Sequence, residues 1–127
     1  MSDDGEPLFR ATAAVLDAPD PEALARFYGE LLGWTVTVAD PTWVTVRPPS
    51  GMGLSVQREE RYVAPVWPAG EGDQQMQLHL DVEVTDLARG VERALALGAR
   101  LAEWQPQEDV RVLLDPVGHP FCLWIET

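Results

Sequence analysis

The sequence predicts an α+β fold: two tandem βαβββ modules, at about residues 9–58 and 76–127, whose curved sheets enclose a cleft. Two observations predict it. Strand and helix patterns recur in the same order in both halves, and the glycines that anchor them recur at a nearly constant offset. Gly33 and Gly98, which end the two helix patterns, lie 65 positions apart, and the turn glycines Gly51 and Gly118, each two residues after a proline, lie 67 apart. Around the second pair, Pro49-Ser50-Gly51-Met52-Gly53-Leu54-Ser55 parallels Pro116-Val117-Gly118-His119-Pro120-Phe121-Cys122. A repeat of fixed period marks one supersecondary unit used twice. A chain of 127 residues has the length of a single domain holding both units.

Residues 1–8 read as a frayed acidic tail before a first strand from Phe9 to Asp17. Ala18-Pro19-Asp20-Pro21 then turns the chain into a helix. Asp20 suits the N-cap, and Pro21 suits the first helical position, where its missing N–H costs nothing. Leu24, Phe27, Leu31 and Leu32 fall on one helical face, and Gly33 ends the helix. Strands from Trp34 to Ala39, Trp43 to Arg47 and Gly53 to Arg58 follow, separated by the turns Asp40-Pro41 and Pro48-Pro49-Ser50-Gly51. Residues 59–75 are rich in proline, glycine and acid, and the large aromatics Tyr62 and Trp67 make them an ordered loop rather than a free linker. In the second half Leu78, Leu80, Val82 and Val84 alternate with Gln77, His79, Asp81 and Glu83, the period of a strand. Thr85 or Asp86 can cap a helix with the stripe Leu87, Val91, Ala94 and Leu95. After Gly98 come strands from Ala99 to Trp104, Val110 to Leu114 and Pro120 to Glu126.

Composition narrows the function. Asp and Glu number 21 against nine Arg, for a net charge of −12, which repels phosphate backbones and anionic headgroups. Neither nucleic acid nor a membrane is therefore an expected partner. The chain has no lysine, which excludes Schiff-base catalysis and a P-loop. One cysteine, Cys122, excludes an internal disulfide and a cysteine-rich zinc site. The acidic start lacks the apolar core of a signal peptide, and no apolar run approaches the roughly 20 residues of a membrane span, so the cytoplasm is the expected location.

Three segments carry a family resemblance. Asp20-Pro21 with Leu24-Ala25, Phe27-Tyr28 and Leu31-Leu32-Gly33-Trp34 forms one. His79-Leu80-Asp81-Val82 with Asp86-Leu87 and Leu97-Gly98-Ala99 forms the second, and Leu114-Asp115-Pro116-Val117-Gly118-His119-Pro120-Phe121 the third. Together with the βαβββ order they make residues 9–127 resemble the vicinal oxygen chelate superfamily of glyoxalases, bleomycin-resistance proteins and extradiol dioxygenases. In the family's enzymes, four side chains from the first and last strands of both modules hold a divalent metal. Here those places fall on Ala13, Ser55 (or Gln57), His79 and Cys122, of which only His79 is a standard ligand. The resemblance thus implies the fold without its metal, and no metal or other cofactor is expected. It also implies a homodimer, because modules of this family pair within or between chains.

The candidate site residues have bland readings beside the functional ones. His79 shares the polar phase of its strand with Asp81, which would turn both into the cleft while Leu78, Leu80 and Val82 face the helix. A plain hydrogen-bonded histidine fits the sequence as well as a ligand contact. Cys122 shares its phase with Trp124, with Phe121, Leu123 and Ile125 facing the helix. It reads first as a small hydrophobe and only second as a nucleophile. Trp34 reads as core. Trp43, Trp67, Trp104 and Trp124, with Tyr62 and Gln57, read as the walls of an aromatic pocket, although loop packing or a dimer interface would account for half of the tryptophans. Arg111 can reach a ligand acid or pair with a nearby carboxylate. His119 reads as a solvated turn residue.

These readings support a metal-independent protein that binds a small molecule and sequesters a hydrophobic or cationic antibiotic or natural product. The alternative is a metal-independent isomerase, lyase or cyclase with His79 as acid or base, helped by Asp81 or Cys122.

Overall fold

The structure, a computed structural model, describes residues 8–126. The predicted acidic tail lies outside the described residues up to position 7. The chain forms β1 (Ala13–Ala18), α1 (Pro21–Leu32), β2 (Thr35–Asp40), β3 (Trp43–Arg47) and β4 (Gly53–Arg58). After a long loop it forms β5 (Leu80–Glu83), α2 (Leu87–Leu97), β6 (Arg100–Leu101), β7 (Val110–Leu114) and β8 (Pro120–Trp124). The two halves build sheets of equivalent order, β1-β4-β3-β2 and β5-β8-β7-β6, each with its first strand parallel to its last. The α+β fold of two βαβββ modules is thus the observed one.

Both helices begin and end as the sequence predicts. The Asp20 carboxylate accepts from the Ala23 N–H at 3.3 Å and that of Asp86 from the Arg89 N–H at 3.1 Å, caps worth about 1 kcal/mol each. Gly33 and Gly98 close the helices at φ of 71° and 118°.

Four strand boundaries differ from expectation by two residues or more, and pairing explains each. β1 starts at Ala13 rather than Phe9 because Ala13 is the first residue with a partner, Gly53; Leu8 and Phe9 are exposed. β5 starts at Leu80 rather than Gln77 because the β8 ladder begins at Leu80↔Phe121, which leaves Leu78 exposed instead of against the helix. β6 is cut to two residues because the Gln105 side chain takes over the ladder. Its Oε1 accepts from the Val112 N–H at 2.9 Å, and its Nε2 donates to the carbonyls of Ala102 and Val112 at 2.8 Å each. β8 ends at Trp124, although the Ile125 N–H still donates to the Asp109 carbonyl at 3.2 Å.

Period-two alternation gives each sheet two distinct faces. Leu16, Val44, Val46, Leu54 and Val56 bury one face of the first sheet, and Leu113, Phe121 and Leu123 that of the second, in one continuous core. Phe27, Tyr28 and Phe121 join the modules through edge-on ring contacts, with centroids 4.9–6.2 Å apart. The modules meet through α1 and α2. Among the described residues, no strand of one sheet packs against a strand of the other, so neither sheet covers the inner face of the other.

Asp115, fully buried between β7 and β8, ties the halves together. Its Oδ2 accepts from the Tyr28 hydroxyl at 2.7 Å and faces His119 Nδ1 at 2.8 Å, while Oδ1 accepts from the N–H groups of Val117 and His119 at 3.0 Å each. Gly118 in the same turn lies at φ 101°, and a Cβ there would sit 2.9 Å from that of Ala64. A side chain would be strained in backbone and would also drive the turn off the long loop.

Candidate functional site

The open face of the second sheet carries a cleft of about 420 Å³. Its floor follows from strand phase. Asp81 of β5 lies beside Cys122 of β8, which lies beside Val112 of β7, and Trp124 pairs with Val110 one row further on. The walls come from loops: Trp104, Gln107 and Asp109 from the β6–β7 connection and Trp67 from the long loop. That loop is held by the Val66 N–H donating to the Gln74 carbonyl at 2.8 Å and by the Tyr62 hydroxyl donating to the Val117 carbonyl at 2.9 Å. Trp67 stacks on the His79 ring (centroids 4.7 Å, planes 29° apart) and meets Trp104 edge to face (4.9 Å, 70°).

The polar groups of the cleft are few. His79 Nε2 lies 3.1 Å from Asp81 Oδ1. Cys122 is buried, and burial, then the charge of Asp81, pushes its thiol up to about 11. It is therefore a neutral, weakly polar surface at physiological pH and not a nucleophile. Donor atoms of His79, Asp81 and Cys122 lie within 4.8 Å of one another. They do not fit the hard divalent cation of the family's metal enzymes. Ala13 offers no donor, Ser55 lies on the other sheet, and one imidazole, one carboxylate and one thiol form a soft, incomplete set.

Of the site residues expected from the sequence, Trp67, His79, Trp104, Cys122 and Trp124 come together here, with Asp81. The other four lie elsewhere. Trp43 and Gln57 are register partners on the inner face of the first sheet, where Gln57 Nε2 donates to Asp17 Oδ1 at 2.7 Å. Tyr62 lies on His119 (5.2 Å) at a second, smaller cleft of about 210 Å³ beside Val15 and Asp17. Arg111 pairs with Leu123 and so points to the helix side, near Leu87 and Val91. Its Nη1 donates to the carbonyls of Gln107, Glu108 and Val110 at 3.2, 3.0 and 2.8 Å, and no carboxylate among the described residues pairs with it.

Two further expectations are corrected. Ile125 lines the cleft, not the helix side, because β8 has already ended and strict alternation lapses. His119 is not a solvated turn residue. Its side chain is 13% exposed and bound to Asp115. Sequence reading missed Asp109, Gln107 and the valines of β7. The phase of Val110 and Val112, opposite to Arg111, is the signal that marks the valines.

Two βαβββ modules joined by their helices, with a ligand-sized cleft on a sheet face, define the glyoxalase/bleomycin-resistance fold of the vicinal oxygen chelate superfamily. Within it, the chain belongs to the glyoxalase-like domain family, which it matches over residues 13–124. A glyoxalase/bleomycin resistance protein/dioxygenase family enzyme from Burkholderia phytofirmans PsJN is similar at 16% identity and a TM-score of 0.71, covering 92% of this chain and 98% of that one. A glyoxalase-related enzyme from Fulvimarina pelagi is similar at 23% identity and 0.66, covering 94% and 89%. The bleomycin-binding protein of Streptomyces verticillus, in complex with copper(II)-bleomycin, is similar at 20% identity and 0.57, covering 96% and 100%. No curated protein matches the sequence. No helix among the described residues is long and apolar enough to cross a membrane.

Proposed function

We propose that the protein binds a small hydrophobic or cationic natural product, such as an antibiotic, and sequesters it without chemical change. The observation that carries this reading is the cleft itself: Trp67, Trp104 and Trp124 surround a neutral thiol, and the donors present do not fit the family's metal. Aromatic walls bury large area on flat ligands, each ring contributing roughly 150–250 Å². The likeness to a bleomycin-binding protein is consistent with such a role. Titration of tryptophan fluorescence against a panel of aromatic antibiotics, followed by mass spectrometry of each compound, tests it. Saturable quenching with the compound recovered intact is expected, together with at least tenfold weaker binding by Trp67→Ala. A panel that leaves the fluorescence unchanged would refute the reading.

The His79–Asp81 contact at 3.1 Å favours one second reading, a metal-independent isomerase, lyase or cyclase. In it the carboxylate would orient an imidazole that moves a proton on the bound compound. A compound recovered altered, with turnover lost in His79→Ala and binding retained, would establish it.

A homodimer belongs to the same proposal. If the open face of the first sheet in one copy covers the cleft of the other, Trp43 and Gln57 reach the ligand from across the interface.

A further inference from the structure

We propose that the cleft selects an organic cation with an alkylated nitrogen, a quaternary or tertiary ammonium, held against tryptophan faces and backed by the carboxylates of Asp81 and Asp109. This rests on the reading of the cleft as a ligand pocket and names the class of ligand it takes.

Charge is the first argument. The acids on the lining are Asp81 and Asp109, and no arginine stands among the lining residues. Arg111, between Val110 and Val112 on β7, is turned to the opposite face with Nη1 engaged by three carbonyls, and the chain has no lysine to take its place. A positive ligand therefore meets no arginine or lysine in the cleft, whereas an anion meets two carboxylates.

Shape is the second. Trp67, with one face on the His79 ring, meets Trp104 at 70° with centroids 4.9 Å apart, and Trp124 rises from the sheet beside them. Indole faces carry the negative part of the ring quadrupole, and of the aromatic side chains tryptophan attracts cations best. A cleft of about 420 Å³ falls in the range of roughly 300–1,000 Å³ that suits small organic ligands.

Hydrogen-bonding capacity is the third and selects among cations. A primary ammonium brings three donors that need acceptors. Asp81 Oδ1 already faces His79, which leaves Asp109 and Gln107 as the further side-chain acceptors in a wall otherwise largely of indole, Val110, Val112 and Pro106. An alkylated nitrogen has few or no N–H groups to satisfy and holds its water loosely. It can enter such a wall without leaving a donor unpaired.

Isothermal titration of the full chain with (3-hydroxyphenyl)trimethylammonium and with its neutral carbon isostere 3-tert-butylphenol tests this at low ionic strength. The cation should bind at least tenfold more tightly than the phenol. That ratio should fall at least threefold in Asp109→Asn and in Trp67→Leu, with folding of each variant checked by circular dichroism. Equal affinity, or tighter binding of the phenol, would overturn the inference while leaving an apolar ligand pocket in place. No heat from either compound would overturn it too, and the antibiotic panel would then decide the pocket separately.

Discussion

Cys122 shows how one side chain is defined by its row in a sheet. Strand phase puts it on the inner face beside Asp81, and the acid next door raises a thiol already raised by burial. With its pKa shifted from 9.0 to about 11, the thiolate fraction at pH 8 is roughly a hundredfold below that of an ordinary cysteine. Alkylation by iodoacetamide should accordingly be slow at pH 8 and accelerate as pH rises toward 11; rapid labelling at pH 7 would contradict the assignment of a neutral thiol. The inward placing of Asp81, Cys122 and Trp124 was legible in the sequence because a period of two leaves only two faces to choose between, whereas His79 lies one residue before β5 and is held there by its contacts with Trp67 and Asp81. Arg111 lies outside the cleft because its strand phase, opposite to that of Val110 and Val112, turns it to the helix side. Asp109 and Ile125 lie at or beyond strand ends, where no period operates and loop geometry decides.

At the level of elements, the buried Asp115 carboxylate carries the greatest electrostatic cost in the core, and four protein donors offset it. Tyr28 is the donor that crosses from α1 into the second module. Burial, then Asp115, pushes its hydroxyl well above the ordinary value, so it remains a donor throughout the working pH range. Tyr28→Phe keeps the ring contacts with Phe27 and Phe121 and removes only this bond. It should lower stability in urea unfolding by about 1–3 kcal/mol, the range for leaving a buried acceptor short of a partner; a loss below about 0.5 kcal/mol would show that water replaces the hydroxyl. The bond joins residues 87 positions apart, and nothing local in either segment announces it. Both helix caps, by contrast, were readable because Asp20 and Asp86 act within three residues. The shortening of β6 was hidden for a related reason. Gln105 imitates a strand with its side chain, and a propensity pattern contains only backbone preferences.

The whole molecule keeps its two sheets apart and joins them by helices and one turn. Val15 lies on the inner face of the first sheet and is 41% exposed, which makes it the residue to test in the proposed dimer. Sedimentation velocity at micromolar concentration should give twice the chain mass of 14.0 kDa, and Val15→Arg should halve it; a monomer at all concentrations would remove the interface from the proposal. The repeat made this architecture legible, because equal glycine offsets need only the sequence. How the two units face each other was not legible, since both pairings bury the same helix stripes. The separation of the inner faces from the shared core has a further consequence for how such a protein changes over generations. Residues such as Val110, Val112 and Trp124, which line the cleft, lie on the face of the second sheet turned away from the packing around Tyr28 and Phe121. The lining of the cleft can therefore change over generations while the packing that folds the chain stays fixed.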